Sequence, residues 1–273
     1  MSDAEAETAT GSVTGAEELA AAKERSWRTM AAIDAAFAAG ELDQAGWHAA
    51  VLAVLEPAYL AADNPRAQSG HSGDAAHWRR ARGLLVYALP EQGGSFLDIG
   101  CANGHLMETL TDWAAERGTV IDPYGVDISP RLASLGRQRC PQWADRIWSA
   151  NAMGWQPPRR FDIVRTGLDY VPPATRPAYL KHLMTRVLVP GGRLIVGVFN
   201  EETDRDTLEQ EVASYGSSIL PGGPSSGSPS SGGPSSGSLW SGGPSCVTGR
   251  TRRPHRHPAL SYKAFWISGK GPG

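Results

Sequence analysis

The chain has 273 residues, 41% of them hydrophobic, and a formal net charge of −2. That supplies apolar material for a sizeable core, and so balanced a charge argues against a nucleic-acid or membrane partner. The three cysteines are odd in number and lack metal-ligand spacing, so they read as reduced thiols; with no basic and apolar leader and no apolar run of about 18 residues, the expected location is cytoplasmic.

In chain order, residues 1–15 are small, polar and acidic, the composition of a disordered tail. An Ala-rich helix is expected over 16–39, with Trp27, Met30, Ile33 and Phe37 at helical spacing and Gly40 at its end. A second helix should run from Asp43 to Leu60, kinked or ended by Pro57, and residues 16–65 together read as an N-terminal helical cap. Asn64 to Ser72 is loop-like. Asp74 can N-cap a helix over Ala75–Ala88.

Strands and helices then alternate. Expected strands are Ser95–Ile99, Tyr124–Val126, Arg146–Ser149, Phe161–Thr166 and Arg193–Phe199. Helices are expected over His105–Arg117, Pro130–Arg139, Arg176–Val189 (stopped by Pro190-Gly191-Gly192) and Thr207–Tyr215. This alternation predicts an α/β fold with a mostly parallel sheet covered on both faces. From Gly222 to Ser245 the chain reads GGPSSGSPSS, GGPSSGSLWS, GGPS, so 221–245 is expected to be a flexible insert, too poor in apolar surface to offset ordering entropy. Two last strands, Cys246–Arg250 and Tyr262–Ile267, follow.

The turn after the first strand carries the chemistry. SFLDIGCANG runs a short buried strand into glycines 100 and 104 and then a helix, the layout of a nucleotide-cofactor site. Gly100 permits a sharp turn and a close backbone approach. Asp98 can orient the loop or accept a hydrogen bond from a ligand. A dinucleotide fold needs glycine at position 102, where this chain has Ala102, so the loop reads as a cradle for a ligand without phosphates. Asp127, at the end of the second strand, can accept hydrogen bonds from two ribose hydroxyls or, more plainly, cap the helix at Ser129–Pro130.

LDIGCANGHL, YGVDISP, RFDIVRTGLDYVPP and LVPGGRLIVGVFN fall in the order and spacing of class I S-adenosylmethionine-dependent methyltransferases, which the chain resembles from Arg66 to Ile267 apart from the insert. The resemblance implies a Rossmann-like seven-stranded sheet, an antiparallel last strand, and a methyltransferase domain over 66–273 interrupted by the insert. It implies S-adenosyl-L-methionine as cofactor. Its methionine portion would lie on Asp98, Gly100, Cys101, Ala102, Asn103 and Gly104, its ribose on Asp127, and its adenine against Ile128, Asn151 and Ala152, with Thr166 lining the cleft. Asn151 stands where many members carry Asp, and its amide offers both an acceptor and a donor.

The implied reaction is methyl transfer to an O or N nucleophile of a small molecule. Methylation of RNA or protein, and a non-catalytic cofactor-binding paralogue, are the alternatives. Low basicity and the short cluster Arg250–His257, without interleaved aromatics, argue against nucleic acid. His71, His77, His182, His255, His257 and Asp169 are all eligible as a general base, and the sequence does not choose among them. Gly70, Gly73 and Trp78 lie where they could close over the cofactor. Deleting Gly222–Ser245 should leave cofactor affinity unchanged and alter stability by only about 1 kcal/mol, since loop-closure entropy grows with the logarithm of length; a denaturant titration of the deletion variant checks this.

Overall fold

The computed structural model describes residues 28–201, 203–221, 246–255 and 257–269. Trp27, the acidic tail and the tract 222–245 lie outside the described residues. Contacts divide the chain into two compact units, Met1–Pro57 and Ala58–Gly273.

In the first unit, residues 28–38 are helical (α1) and end just before Gly40, whose φ of 76° suits glycine. Helix α2 (Gln44–Ala61) starts here and runs on into the second unit. Pro57 therefore does not end α2: its missing N–H costs one hydrogen bond, which the helix tolerates as it continues to Ala61. The Trp47 indole, 2% exposed, donates to Asp34 Oδ1 at 2.8 Å and ties the helix pair together.

The second unit is built on a seven-stranded sheet. Its strands are β1 (Gly94–Ile99), β2 (Ile121–Asp127), β3 (Ile147–Ser149), β4 (Phe161–Thr166), β5 (Leu188–Phe199), β6 (Gly249–Pro254) and β7 (Ser261–Ser268), in the order β3-β2-β1-β4-β5-β7-β6. The pairs among β1 to β5 are parallel, and β7 pairs antiparallel with both β5 and β6. This is the Rossmann-like arrangement with an antiparallel last strand that the sequence implies. The helices of this unit are α3 (Ala75–Arg82), α4 (His105–Ala115), α5 (Pro130–Arg139), α6 (Arg176–His182) and α7 (Thr207–Ser214).

Side chains alternate between two cores because the strand period is two. Phe96, Ile163 and Ile195 pack with Leu84, Leu106 and Leu110 on one face. Leu97, Val164 and Val196 pack with Tyr179, Leu183 and Val212 on the other. Both faces being covered explains why β1 and β4 are almost wholly buried.

Several expected boundaries move. The helix begun at Asp74, whose carboxylate accepts from His77 N at 2.7 Å, tightens into a 3₁₀ segment over Gly83–Ala88. That stretch is apolar and nearly all buried, with no polar face to keep an α-helical stripe. The helix expected over Arg176–Val189 ends in a π-type turn, Leu183–Val187, and Pro190-Gly191-Gly192 lies inside β5 instead of stopping the helix. Leu188 already pairs with Phe161, and the register shift before Ile163 accommodates the proline and the left-handed Gly191. The strand expected at Cys246–Arg250 starts at Gly249, because Cys246 packs into the core with its thiol on Val212 O. Edge strand β6 carries Arg250 and Arg252, which pair with Glu209 and Asp206 on α7 and its N-terminal cap. The basic cluster is in that part an internally paired hairpin.

Candidate functional site

The β1–α4 loop is held by its own backbone. Gly100 N and Cys101 N both donate to Val126 O, at 2.8 and 3.2 Å, and Gly104 N donates to Cys101 O at 2.8 Å. Ala102 N donates to Asp127 Oδ2 at 2.8 Å, and His105 N donates to Asn103 Oδ1 at 3.1 Å. These N–H groups are spent, so the loop has few donors for a phosphate, in keeping with the sequence reading. Gly100 and Gly104 have φ of 71° and 78°, and Ala102 also sits at a positive φ, 46°.

Gly100 is glycine for a second reason. A Cβ there would lie 2.7 to 3.0 Å from Tyr170 Cε2, Cζ and the hydroxyl. Tyr170 in turn is held by Arg165, whose Nη1 donates to the Tyr170 hydroxyl at 3.1 Å, to Asp98 Oδ1 at 3.0 Å and to Ile99 O at 3.3 Å. Arg165 Nε donates to Gly197 O. Asp98 is 1% exposed, and its Oδ2 is buried with no hydrogen-bond partner among the described residues. Burial raises the Asp98 carboxyl above the usual carboxylate range, although Arg165 pulls it down. Burial would lower Arg165, but Tyr170 and Asp98 outweigh it and raise the guanidinium. Burial also raises the Tyr170 phenol.

Asp127 accepts from two backbone groups, Ala102 N on Oδ2 and Ser129 N on Oδ1, both at 2.8 Å. It is therefore not the cap of α5; Ser129 is, accepting from Leu132 N at 3.0 Å. Asp127 instead pins the glycine loop to the end of β2. Asn151, exposed, follows β3 and turns its Oδ1 to Met153 N at 3.0 Å. Ala150 N bonds to Asp127 O, which brings the start of the Asn151-Ala152 turn beside Asp127 and half-buried Ile128.

Three predicted residues turn their side chains elsewhere. Asn103, fully buried, accepts from the Ser69 hydroxyl at 2.7 Å and donates to Pro65 O and Gln68 Oε1, both at 3.0 Å. It uses its amide to tie the 65–69 segment to the loop. Cys101 points under Gly125, where a Cβ would meet its sulfur at 2.7 Å, and burial pushes its thiol well up. The Thr166 hydroxyl bonds Tyr179 at 2.6 Å inside the core.

Of the candidate bases, Asp169 is exposed in the loop after β4, and His182 Nε2 donates to Trp155 O at 3.0 Å. His255 packs edge-on against Tyr262 at 4.6 Å. His71 and His77 lie together, ring centroids 4.7 Å apart. Trp78 donates to Thr109 Oγ1 at 3.1 Å and stacks on His105, so the segment before the core does pack on the start of α4.

Sequence reasoning missed Arg165 and Arg82. Arg165 was signalled by a charge inside the otherwise apolar FDIVRT, since a buried charge needs partners. Arg82 is half-buried over the Trp78 ring at 5.5 Å; burial and the neighbouring Arg165 lower its guanidinium, while Tyr170, Asp169 and Tyr59 oppose them.

A family model described as a methyltransferase domain matches residues 73–218. Demethylmenaquinone methyltransferase of Tropheryma whipplei (strain Twist) is 31% identical over 126 residues, 46% of this chain and 49% of that protein. Ubiquinone biosynthesis O-methyltransferase of Xylella fastidiosa (strain 9a5c) is 29% identical over 141 residues, 50% of this chain and 54% of that one. The chain thus spans about half the length of the curated relatives it matches. Among solved structures, the N-methyltransferase NodS from Bradyrhizobium japonicum WM9, in complex with S-adenosyl-L-homocysteine, superposes with a TM-score of 0.52 at 16% identity, over 80% of this chain and 97% of that one, a likeness of fold.

Proposed function

The chain belongs to the family of methyltransferase domains, and from that premise we propose that it transfers the methyl group of S-adenosylmethionine to an oxygen or nitrogen of a small molecule. The observation that carries this reading is the Asp98 carboxylate, buried, with one oxygen unpartnered among the described residues, beside a loop whose N–H groups are spent. Such a site suits an ammonium group and does not suit a pyrophosphate, which favours a methionine moiety over a dinucleotide. The activities for which the two curated relatives are named support a small-molecule acceptor.

When bound, the cofactor supplies a methyl group activated on a sulfonium, with its own neutral leaving group. The chain's residues align the reactants. Asp98 Oδ2 would accept from the amino group, and Gly100 would let the backbone of Cys101, Ala102, Asn103 and Gly104 approach. The Asp127 carboxylate, at the end of β2 beside the glycine loop, would receive the ribose hydroxyls. Ile128, Asn151 and Ala152 would border the adenine, and the loop from Thr166 to Tyr170 would line the cleft where acceptor and cofactor meet. Arg82 offers a cation for the cofactor carboxylate. In this reading residues 66–273 are the catalytic domain, with 221–245 an insert and residues 16–65 a cap preceding it.

Calorimetric titration with S-adenosylmethionine, S-adenosylhomocysteine and NADH tests the reading: the first two should bind and the third should not. Asp127→Ala removes charge-assisted bonds worth about 1.5–3 kcal/mol each, so both adenosyl ligands should bind at least about tenfold more weakly. It also strands two backbone donors, so the urea midpoint should fall as well. Asp127→Asn should be intermediate in binding and, because its amide must face one of those N–H groups, below wild type in stability. Wild-type affinity in a folded Asp127→Ala variant would remove the ribose role.

A further inference from the structure

The sheet has a second edge. Gly93 leads into β1, Asp162 stands at the start of β4, and Arg193, early in β5, pairs with Ser268 at the end of antiparallel β7, so all four lie at the amino ends of the parallel strands. The glycine loop follows the other end of β1, roughly 20 Å away at about 3.3 Å per strand residue. At this amino edge is a cavity of about 200 Å³ whose wall includes Asp162, Arg193, Gln92 and the apolar Pro90, Val189 and Pro190. Sites for drug-sized ligands run from about 300 to 1,000 Å³, so this one suits a small metabolite. Close-packed backbone bounds it: a Cβ on Gly93 would meet Val120 O at 1.9 Å, and one on Gly192 would meet Asp162 O at 2.8 Å.

The wall carries two charges that do not pair. Half-buried Arg193 donates from Nη1 to Ala88 O at 2.9 Å and lies over the Trp266 ring, 5.2 Å from its centroid, but no carboxylate among the described residues pairs with it. Burial alone acts on the guanidinium and lowers it; Asp162 exerts no pull. A charge taken from water calls for a counter-charge. Asp162 Oδ2 accepts from Ser95 N at 2.9 Å and from Ser95 Oγ at 2.6 Å, which leaves Oδ1 without a hydrogen bond from the described residues. Burial would raise the Asp162 carboxyl, but the two Ser95 donors and Arg159 outweigh it and hold it below the usual carboxylate range. The cavity thus presents an ionised carboxylate and a guanidinium, each short of a partner.

We propose that this cavity binds a small neutral α-amino acid as its zwitterion, with the carboxylate on Arg193 and the ammonium on Asp162 Oδ1. The inference goes beyond the methyltransferase reading and does not depend on it. A simple carboxylate would satisfy Arg193 and be repelled by Asp162, and a simple amine the reverse; a zwitterion supplies both counter-charges at once. The guanidinium keeps donors on Nε and Nη2 for the two carboxylate oxygens. Pro90, Val189 and Pro190 suit an aliphatic side chain. No residue of the glycine loop takes part, so this site and the cofactor cradle can be filled together.

The test titrates L-valine calorimetrically into the protein, alone and saturated with S-adenosylhomocysteine. Valine should bind equally in both cases with a dissociation constant below about 10 mM, and the melting temperature should rise with its concentration by mass action. Isovalerate and isobutylamine, each lacking one charged group of valine, should bind wild type at least about tenfold more weakly. Arg193→Met and Asp162→Asn should each weaken valine binding at least about tenfold while S-adenosylhomocysteine affinity stays at wild type. The two analogues need no variant, so they decide the matter even if a substitution prevents folding. Valine binding weaker than about 10 mM, an analogue that binds as tightly as valine, folded variants with wild-type valine affinity, or displacement of valine by S-adenosylhomocysteine overturns the proposal.

Discussion

Replacing Arg165 with Met should destabilise the protein by about 3–5 kcal/mol, the cost of stranding one member of a buried ion pair. The guanidinium is 7% exposed and its partner Asp98 1%. Its loss removes the cation from Asp98 Oδ1 and the donors to Ile99 O, Tyr170 and Gly197 O together. The deficit should depend on pH with a definite sign. Asp98 is already raised by burial, and without Arg165 its carboxyl rises further. A raised folded-state value means that the folded form takes up the proton more readily than the unfolded form. The penalty is then full above the folded-state midpoint, shrinks as pH falls through it, and vanishes below the ordinary carboxylate range. Urea unfolding of both proteins across the acid limb measures this. A deficit that does not shrink with acid would mean that the cost is packing and lost donors, not the uncompensated carboxylate. Arg165→Met with Asp98→Asn should recover part of the loss, because a neutral amide needs no cation.

Gly100→Val should abolish binding of S-adenosylmethionine and S-adenosylhomocysteine and cost several kcal/mol of stability. A left-handed residue with a side chain costs about 1–2 kcal/mol, and more when β-branched. The Cβ also meets the Tyr170 ring at 2.7 Å, so Tyr170 must leave the loop and its bond to Arg165. A double-mutant cycle separates the two contributions: Gly100→Ala in a Tyr170→Ala background should lose less stability than in wild type, the remainder being the strain of φ alone. A folded Gly100→Val variant that titrates either adenosyl ligand with wild-type affinity would sink the assignment of the loop as the cofactor cradle.

Much of this protein is legible in the chain because the relevant physics is local. The bounds of α5 and β4 match the sequence reading to the residue, since a Ser-Pro start and a short apolar run mark them without help from distant contacts. The glycine loop is legible because left-handed backbone restricts residue choice at 100 and 104. Resemblance of four motifs then supplied the family, which periodicity alone does not name.

Tertiary structure decided what depends on partners far apart in sequence. Asp127 as a clasp of the glycine loop needs Ala102, 25 residues earlier, and Arg165 acts on Asp98 from 67 residues away. That the Asn103 side chain bonds Pro65, Gln68 and Ser69, with His105 N sharing its Oδ1, has no trace in the sequence. The strand begun at Leu188, where a helix ending in Pro-Gly-Gly was expected, follows from pairing with Phe161. Helix and turn preferences are worth tenths of a kcal/mol to about one per residue, and a ladder of sheet hydrogen bonds with burial on both faces outweighs them. The bond between His77 and the Tyr262 hydroxyl, 185 residues apart, has no sequence signal at all, because buried polar groups find their partners only when the chain has closed.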